Sequence, residues 1–349
     1  MTNFKIDKIE QINLEVFGGC NLACPMCPQG LEGGREKEFK KSMNEDLFKS
    51  IIDQAIPLGL KFVNLSGSGE PLLNKNFEKY CSYLREKGII SMINTNGLLL
   101  TKEKFENLCI AGLDVIKVSC MGWDKESYAH FMSVDNYDNM RKTLAECLEI
   151  LKEKKYNTML QTNHLIQDYD KKDYQLQKYM DNWINYLNIK GEVWLVHNWS
   201  GVYDENATLA TGADQGDISH SRHEKYEKRD RRSCGRPLAN VIEIRAGGLE
   251  KHRGAVVPCP NVLGQDSKAV LGHLDENSLA EIINGEKYVD LRKKHIEGDF
   301  DEIDYCKNCD HLIDVPESLV WTNIDKRKYG GSRVSFIDYV GAIENFENK

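Results

Sequence analysis

The sequence predicts a parallel α/β architecture followed by a small cysteine-bearing domain, on three observations. Six apolar segments, each followed by a loop and then a helical stretch, succeed one another between residues 10 and 199. Chemistry-bearing residues collect at the ends of those segments, where parallel α/β folds place their sites. Beyond a polar stretch, a second group of cysteines begins at Cys234. On the residues alone, the first part is either doubly wound or an incomplete barrel.

Residues 12–17 form the first strand, which ends at Gly18-Gly19. Cys20, Cys24 and Cys27 follow at once. Three thiolates at CxxxCxxC spacing can converge on one face of a loop and bind a soft metal centre, leaving one position without a protein ligand. The alternatives are a disulfide plus a spare thiol, or a zinc knuckle completed by a distant residue. Both want an even or four-membered local set that this loop lacks.

Asn44-Glu45-Asp46 opens a helix to Ala55, and Pro57-Leu58-Gly59 ends it. The second strand, 61–66, leads into Gly67-Ser68-Gly69-Glu70-Pro71, and a helix covers 76–87. Strand three, 89–95, turns at Asn96-Gly97 before a helix at 102–111. Strand four, 115–120, carries Ser119 and Cys120 at its end, and Glu126 and Tyr128 fall on a helix face. A helix over 136–155, strand five at 158–163, a helix near 174–187 and strand six at 192–197 complete the series. Gln161, Asn163 and His164 fall at the fifth strand end, and His197 and Asn198 at the sixth. All are candidates to orient substrate hydroxyls, although strand ends also need side chains to cap backbone groups. Cys81, Cys109 and Cys147 fall on helices as packing residues.

With 349 residues and 41% hydrophobic content the chain can build an ordinary core. No apolar run reaches the length of a signal peptide or membrane span, so the expected location is cytoplasmic. There the eleven cysteines favour metal ligation over a disulfide framework. The formal charge of −8 offers no basic footprint, so neither nucleic acid nor membrane is expected as a partner.

Residues 200–233 read as a linker or lid. Residues 241–245 and 255–259 form a hairpin carrying Cys259, and short helices at 278–283 and 287–294 return the chain to Cys306-Lys307-Asn308-Cys309. Cys234, Cys259, Cys306 and Cys309 make a closed tetrathiolate site, for an iron–sulfur cluster or a structural zinc. Residues 313–349 form an extension of unknown role.

Taken together, CxxxCxxC after the first strand, Gly69-Glu70-Pro71 after the second and Thr95-Asn96-Gly97 after the third resemble the radical S-adenosylmethionine (SAM) superfamily. The resemblance implies a partial (β/α)6 TIM-like barrel over residues 10–199. It further implies a [4Fe–4S] cluster on Cys20, Cys24 and Cys27 that cleaves SAM to a 5′-deoxyadenosyl radical. By the same resemblance Met26 contacts adenine, Gly69 and Glu70 receive the SAM ammonium, and Ser119 and Asn96 line the SAM site. The arginine often found after the Tyr128 region in that family is absent. Residues 234–312 resemble a twitch domain, the shortened SPASM form, a small α+β unit whose four cysteines bind one auxiliary [4Fe–4S] cluster.

These resemblances imply a flavodoxin or ferredoxin as reductant and a polar small molecule, such as a sugar, cyclitol or sugar nucleotide, as substrate. The first expected reaction is oxidation at an alcohol carbon, with the auxiliary cluster accepting an electron. A radical epimerase with Cys120 as thiol hydrogen donor is the alternative, set against Cys120 as a packing residue. A peptide-modifying maturase ranks third, because strand one begins near residue 12 and leaves no room for an N-terminal peptide-recognition domain.

Overall fold

The computed structural model describes residues 4–27, 29, 41–166, 171–195, 231–262, 269–312, 318–321 and 343–346. His197, Asn198 and most of the 200–233 and 313–349 segments lie outside the described residues. Among the described residues no helix is long and apolar enough to cross a membrane.

Six strands run parallel in chain order: β1 (Gln11–Leu14), β2 (Phe62–Asn64), β3 (Ile90–Thr95), β4 (Val115–Ser119), β5 (Met159–Ile166) and β6 (Lys190–Leu195). Between them lie α1 (Glu45–Ala55), α2 (Phe77–Glu86), α3 (Lys102–Ala111), α4 (Lys125–Met132), α5 (Tyr137–Lys154) and α6 (Lys172–Tyr179). Local chemistry fixes their starts: the side chains of Asn44, Thr101 and Asp124 cap α1, α3 and α4 by accepting from backbone N–H groups three residues on. The stretch expected as one helix over 174–187 is instead α6 followed by a π-helical turn at Met180–Asn185. From that turn the buried Trp183 donates through Nε1 to Gly122 O at 2.9 Å.

A small C-terminal region of strands and helices follows. It comprises β7 (Val241–Ile244), β8 (Ala255–Val257), β9 (Gly272–His273), α7 (Leu279–Ile283) and α8 (Glu286–Glu297). β7 and β8 form the expected antiparallel hairpin. Its partner was not foreseen: β7 pairs in parallel with β1, so the sheet runs without interruption through both regions. On the opposite side β10 (Ser318–Trp321), part of the C-terminal extension, pairs antiparallel with β6. The result is a mixed sheet with interleaved helices of the kind found in radical SAM partial barrels.

Side-chain alternation divides this sheet into two faces. Ile12, Val63, Ile93, Ile116, Leu160 and Val193 lie in the main core with the helices. The other face begins with an apolar plug of Phe62, Met92 and Val115, packed by Ile90 and Met159. Above the plug it turns polar.

A buried ion pair joins the two regions. Glu15, fully buried just past β1, accepts from Ser68 N and Oγ, both at 2.8 Å, from Ala246 N at 3.2 Å and from Arg245 Nη1 at 3.4 Å. Arg245 also donates through Nη2 to Pro260 O and Val262 O, at 2.9 and 2.6 Å, holding the chain just beyond Cys259. Removing one member of such a pair leaves the other buried without its partner. Arg245→Met is therefore expected to destabilise the protein by about 3–5 kcal/mol, measured by denaturant unfolding.

Candidate functional site

The three-cysteine loop leaves β1 and is fastened from several directions. Gly18 N donates to Lys41 O at 3.0 Å, Glu70 N donates to Gly19 O at 2.8 Å, and Ser133 Oγ donates to Ala23 O at 2.8 Å. Gln29 Nε2 bridges Gly18 O and Ser68 O at 2.9 and 2.7 Å. The sulfurs also have polar neighbours. Leu22 N lies 3.4 Å and Asn96 Nδ2 3.8 Å from Cys20 Sγ, while Cys24 Sγ reaches Met132 O at 3.7 Å. The three cysteines are in no disulfide and are partly exposed, and Met26 beside them is buried.

Gly69 allows the second loop to close on the first. A Cβ at Gly69 would lie 2.1 Å from Phe17 O and 2.4 Å from Gly19 O, so only glycine permits this approach of two backbones. Glu70 is tied inward: its Oε1 accepts from Thr95 Oγ1 at 2.6 Å and Leu72 N at 3.1 Å, and its Oε2 from Asn96 N at 2.8 Å. Burial raises its pKa, against the lowering effect of those donors. In this structure the Glu70 carboxylate clamps the third strand's turn to the second. Asn96 then turns its amide to Asn21 Oδ1 at 2.7 Å, which brings three loops together.

Ser119, the last residue of β4, and Asn163 are register partners and share the polar face; β5 continues to Ile166, beyond the end expected at 163, so Asn163 lies within the strand. Gln161, two residues before Asn163, lies on that face as well and is fully buried. Lys117 and Glu192, neither anticipated from the sequence, form a buried ion pair there at 2.6 Å. Asn13 donates to Glu243 across β1 and β7, and burial raises the pKa of Glu243 despite Arg245 and Asn13. Several polar atoms on this face find no partner among the described residues: Asn64 Oδ1, both ends of Gln161, Asn163 Oδ1 and Glu192 Oε1. One signal for the missed pair was available at Lys117, which interrupts the apolar run of β4, whereas Glu192 follows Lys190 and Gly191 near the start of β6.

Cys120 and His164 lie elsewhere. Cys120 is fully buried in the main core, within electrostatic reach of Tyr128, Tyr137 and Tyr179, and burial raises its thiol well above the ordinary range. His164 stacks on Tyr179 at 4.5 Å and accepts from Gly122 N at 3.4 Å. Burial lowers its pKa to about 3.

In the C-terminal region Cys234, Cys306 and Cys309 are buried and Cys259 is partly buried. Desolvation raises Cys306 well above its ordinary range, and the nearby Cys259, Cys234 and Cys309 raise it further. The four thiols thus share one neighbourhood. Cys309 N donates to Cys306 O at 2.8 Å, and Arg231 steadies this turn through Lys307 O at 2.9 Å and Asp301. His295, held neutral by burial with its pKa near 4, lies 3.0 Å from Ser233 Oγ and 3.6 Å from Cys306 Sγ. Among the described residues no three ligand-type side chains stand as a set for a single metal ion.

Residues 14–171 match the radical SAM superfamily, and residues 251–310 match the SPASM iron–sulfur cluster-binding domain. The chain therefore carries a radical SAM domain followed by a C-terminal SPASM-type domain, the architecture of oxidoreductase-type radical enzymes. Domains of these kinds bind SAM and iron–sulfur clusters. The chain is 30% identical over 144 residues to a probable GTP 3′,8-cyclase of Methanococcus maripaludis, covering 41% of this chain and 47% of that one. It thus spans about half the length of these curated relatives. Its fold is similar to that of BtrN in complex with AdoMet and 2-DOIA, with TM-score 0.54 and 19% identity over 86% of this chain and 92% of that one. Streptococcus suis SuiB bound to precursor peptide SuiA gives 0.57 and 17%, over 82% and 67%.

Two outcomes follow from this geometry. Gly69→Ala forces the two loops apart, so the variant should lose most of the iron that wild type takes up on anaerobic reconstitution, read by iron and sulfide assay. For His164, the unfolded chain gains its proton near pH 6.5 and the folded chain only near 3, so the unfolded state binds more protons between those values. Stability is then complete above pH 6.5 and falls as pH drops toward 3. His164→Phe should shrink the loss of unfolding free energy between about pH 7 and about pH 5, measured by urea titration at each pH.

Proposed function

We propose that this chain is a radical SAM enzyme that oxidises an alcohol carbon of a polar small molecule such as a sugar, cyclitol or sugar nucleotide. The donor sets support the cofactors. Cys20, Cys24 and Cys27 suit a [4Fe–4S] cluster with one iron open to SAM, and Cys234, Cys259, Cys306 and Cys309 suit a closed auxiliary one. When bound, the first cluster with SAM supplies a 5′-deoxyadenosyl radical, and the second supplies a one-electron acceptor. In this reading residues 10–199 are the catalytic partial (β/α)6 barrel, 200–233 a linker or lid, 234–312 the auxiliary domain and 313–349 an extension. Flavodoxin or ferredoxin serves as reductant in the cytoplasm.

The observation that carries this reading is the polar layer on the inner sheet face. Buried polar atoms are normally paired, and Asn64, Gln161, Asn163 and Glu192 keep atoms without a partner among the described residues. Such a layer suits a ligand with several hydroxyl groups. Lys117 holds Glu192 Oε2, and Oε1, without a partner among the described residues, is the atom to accept a hydroxyl proton in this reading. The substrate loses one hydrogen atom, one proton and one electron, and its alcohol becomes a carbonyl. Met26, Gly69, Asn96 and Ser119 are the proposed SAM contacts. Glu70 serves chiefly by fixing Asn96 among them. The burial of Cys120 in the main core weighs against its use as an epimerase hydrogen donor.

Anaerobic reconstitution should give about eight irons per chain, and reduction with SAM should release 5′-deoxyadenosine. Zinc with no iron would overturn the reading. With a panel of aminocyclitols, sugars and sugar nucleotides in deuterated water, the expected product is lighter by two hydrogens. Deuterium at an inverted carbon, lost in Cys120→Ala, would favour epimerisation instead. Glu192→Gln should lower kcat by about 10²-fold or more while 5′-deoxyadenosine is still released.

A further inference from the structure

The auxiliary cysteines have a neighbour that neither cluster ligation nor the substrate face requires. His295 on α8 is buried, with Nδ1 3.0 Å from Ser233 Oγ and Nε2 3.6 Å from Cys306 Sγ. Ser233 Oγ accepts from Gly235 N at 3.1 Å and still has its hydroxyl hydrogen to donate to Nδ1. With that hydrogen donated, the imidazole proton lies on Nε2, facing the sulfur. The opposite tautomer would set a nitrogen lone pair against a ligating thiolate, which can only accept.

We propose that His295 is a tuning residue for the auxiliary site, donating an Nε2–H hydrogen bond to the Cys306 thiolate with its tautomer fixed by Ser233. This rests on the reading that Cys234, Cys259, Cys306 and Cys309 hold an iron–sulfur cluster. Hydrogen bonds to ligand sulfur stabilise the reduced, more negative state and raise the reduction potential. The site's ability to accept an electron is then set partly by one imidazole. Ring packing keeps that imidazole in place: Phe300 meets it edge-on at 5.5 Å.

The test uses the full chain reconstituted with iron and sulfide, with Cys20, Cys24 and Cys27 replaced by Ala so that only the auxiliary site is filled. About four irons per chain are expected, and their absence overturns the ligation reading and this proposal with it. With iron present, His295→Phe should lower the reduced-to-oxidised ratio at a fixed potential by up to about tenfold, equivalent to about 59 mV for a one-electron couple. Ser233→Ala, which keeps the imidazole but frees its tautomer, should give a smaller shift in the same direction. Pulsed EPR of the reduced protein labelled with ¹⁵N-histidine should show a nitrogen coupling that disappears in His295→Phe. A normal iron content with unchanged potential and no histidine coupling would overturn the assignment to His295 alone and leave the cluster reading standing.

Discussion

The placement of both thiol groups depends on one buried carboxylate. Glu15 accepts from the loop after β2, from the backbone past β7 and from Arg245, whose other nitrogen grips the segment after Cys259. A carboxylate in the interior needs donors on both oxygens and a compensating cation, and Glu15 draws them from two parts of the chain, Ser68 after β2 and Arg245-Ala246 after β7. The three-cysteine loop begins five residues further on. Desolvation makes this arrangement stringent, because any geometry that separates the partners exposes the cost of the buried charge.

Glycine and glutamate divide the work at the second loop. Gly69 permits backbone contact that any side chain would block, and Glu70 uses its carboxylate to hold Thr95 and Asn96. The Gly-Glu pair therefore brings the end of β3 to the cysteine loop through backbone and side chain respectively. Below it the inner face passes from unpaired amides and the Lys117–Glu192 pair to the plug of Phe62, Met92 and Val115. The polar layer can serve a ligand, while the plug closes the floor with apolar packing.

Much of this was legible because local chemistry and tertiary role coincide. The helix expected over 102–111 lies where its residues placed it, and the order of strands follows from their apolar runs. The loop motifs announced themselves through cysteine and glycine spacing. The inner face was harder to read. Lys117 and Glu192 stand 75 residues apart, and a single charged residue in a strand does not reveal its partner. Glu15 falls within the expected first strand with nothing to single it out, and His295 falls just past the helix expected at 287–294, which in the structure runs on to Glu297. Each acquires its meaning from a contact that only the fold creates. The π-helical turn was likewise hidden, since helical periodicity does not distinguish it over so few residues.

The pairing of β1 with β7 bears on how such a protein could have been assembled or dismantled. A strand whose backbone groups are satisfied by another region is not an autonomous boundary. Cutting the gene before Cys234 would leave the first strand with an unpaired border, a surface that invites pairing with other chains. The four-cysteine region is thus part of the scaffold's solubility as well as its chemistry. Inheritance of the two regions as a unit would follow from that shared border whatever the four cysteines hold.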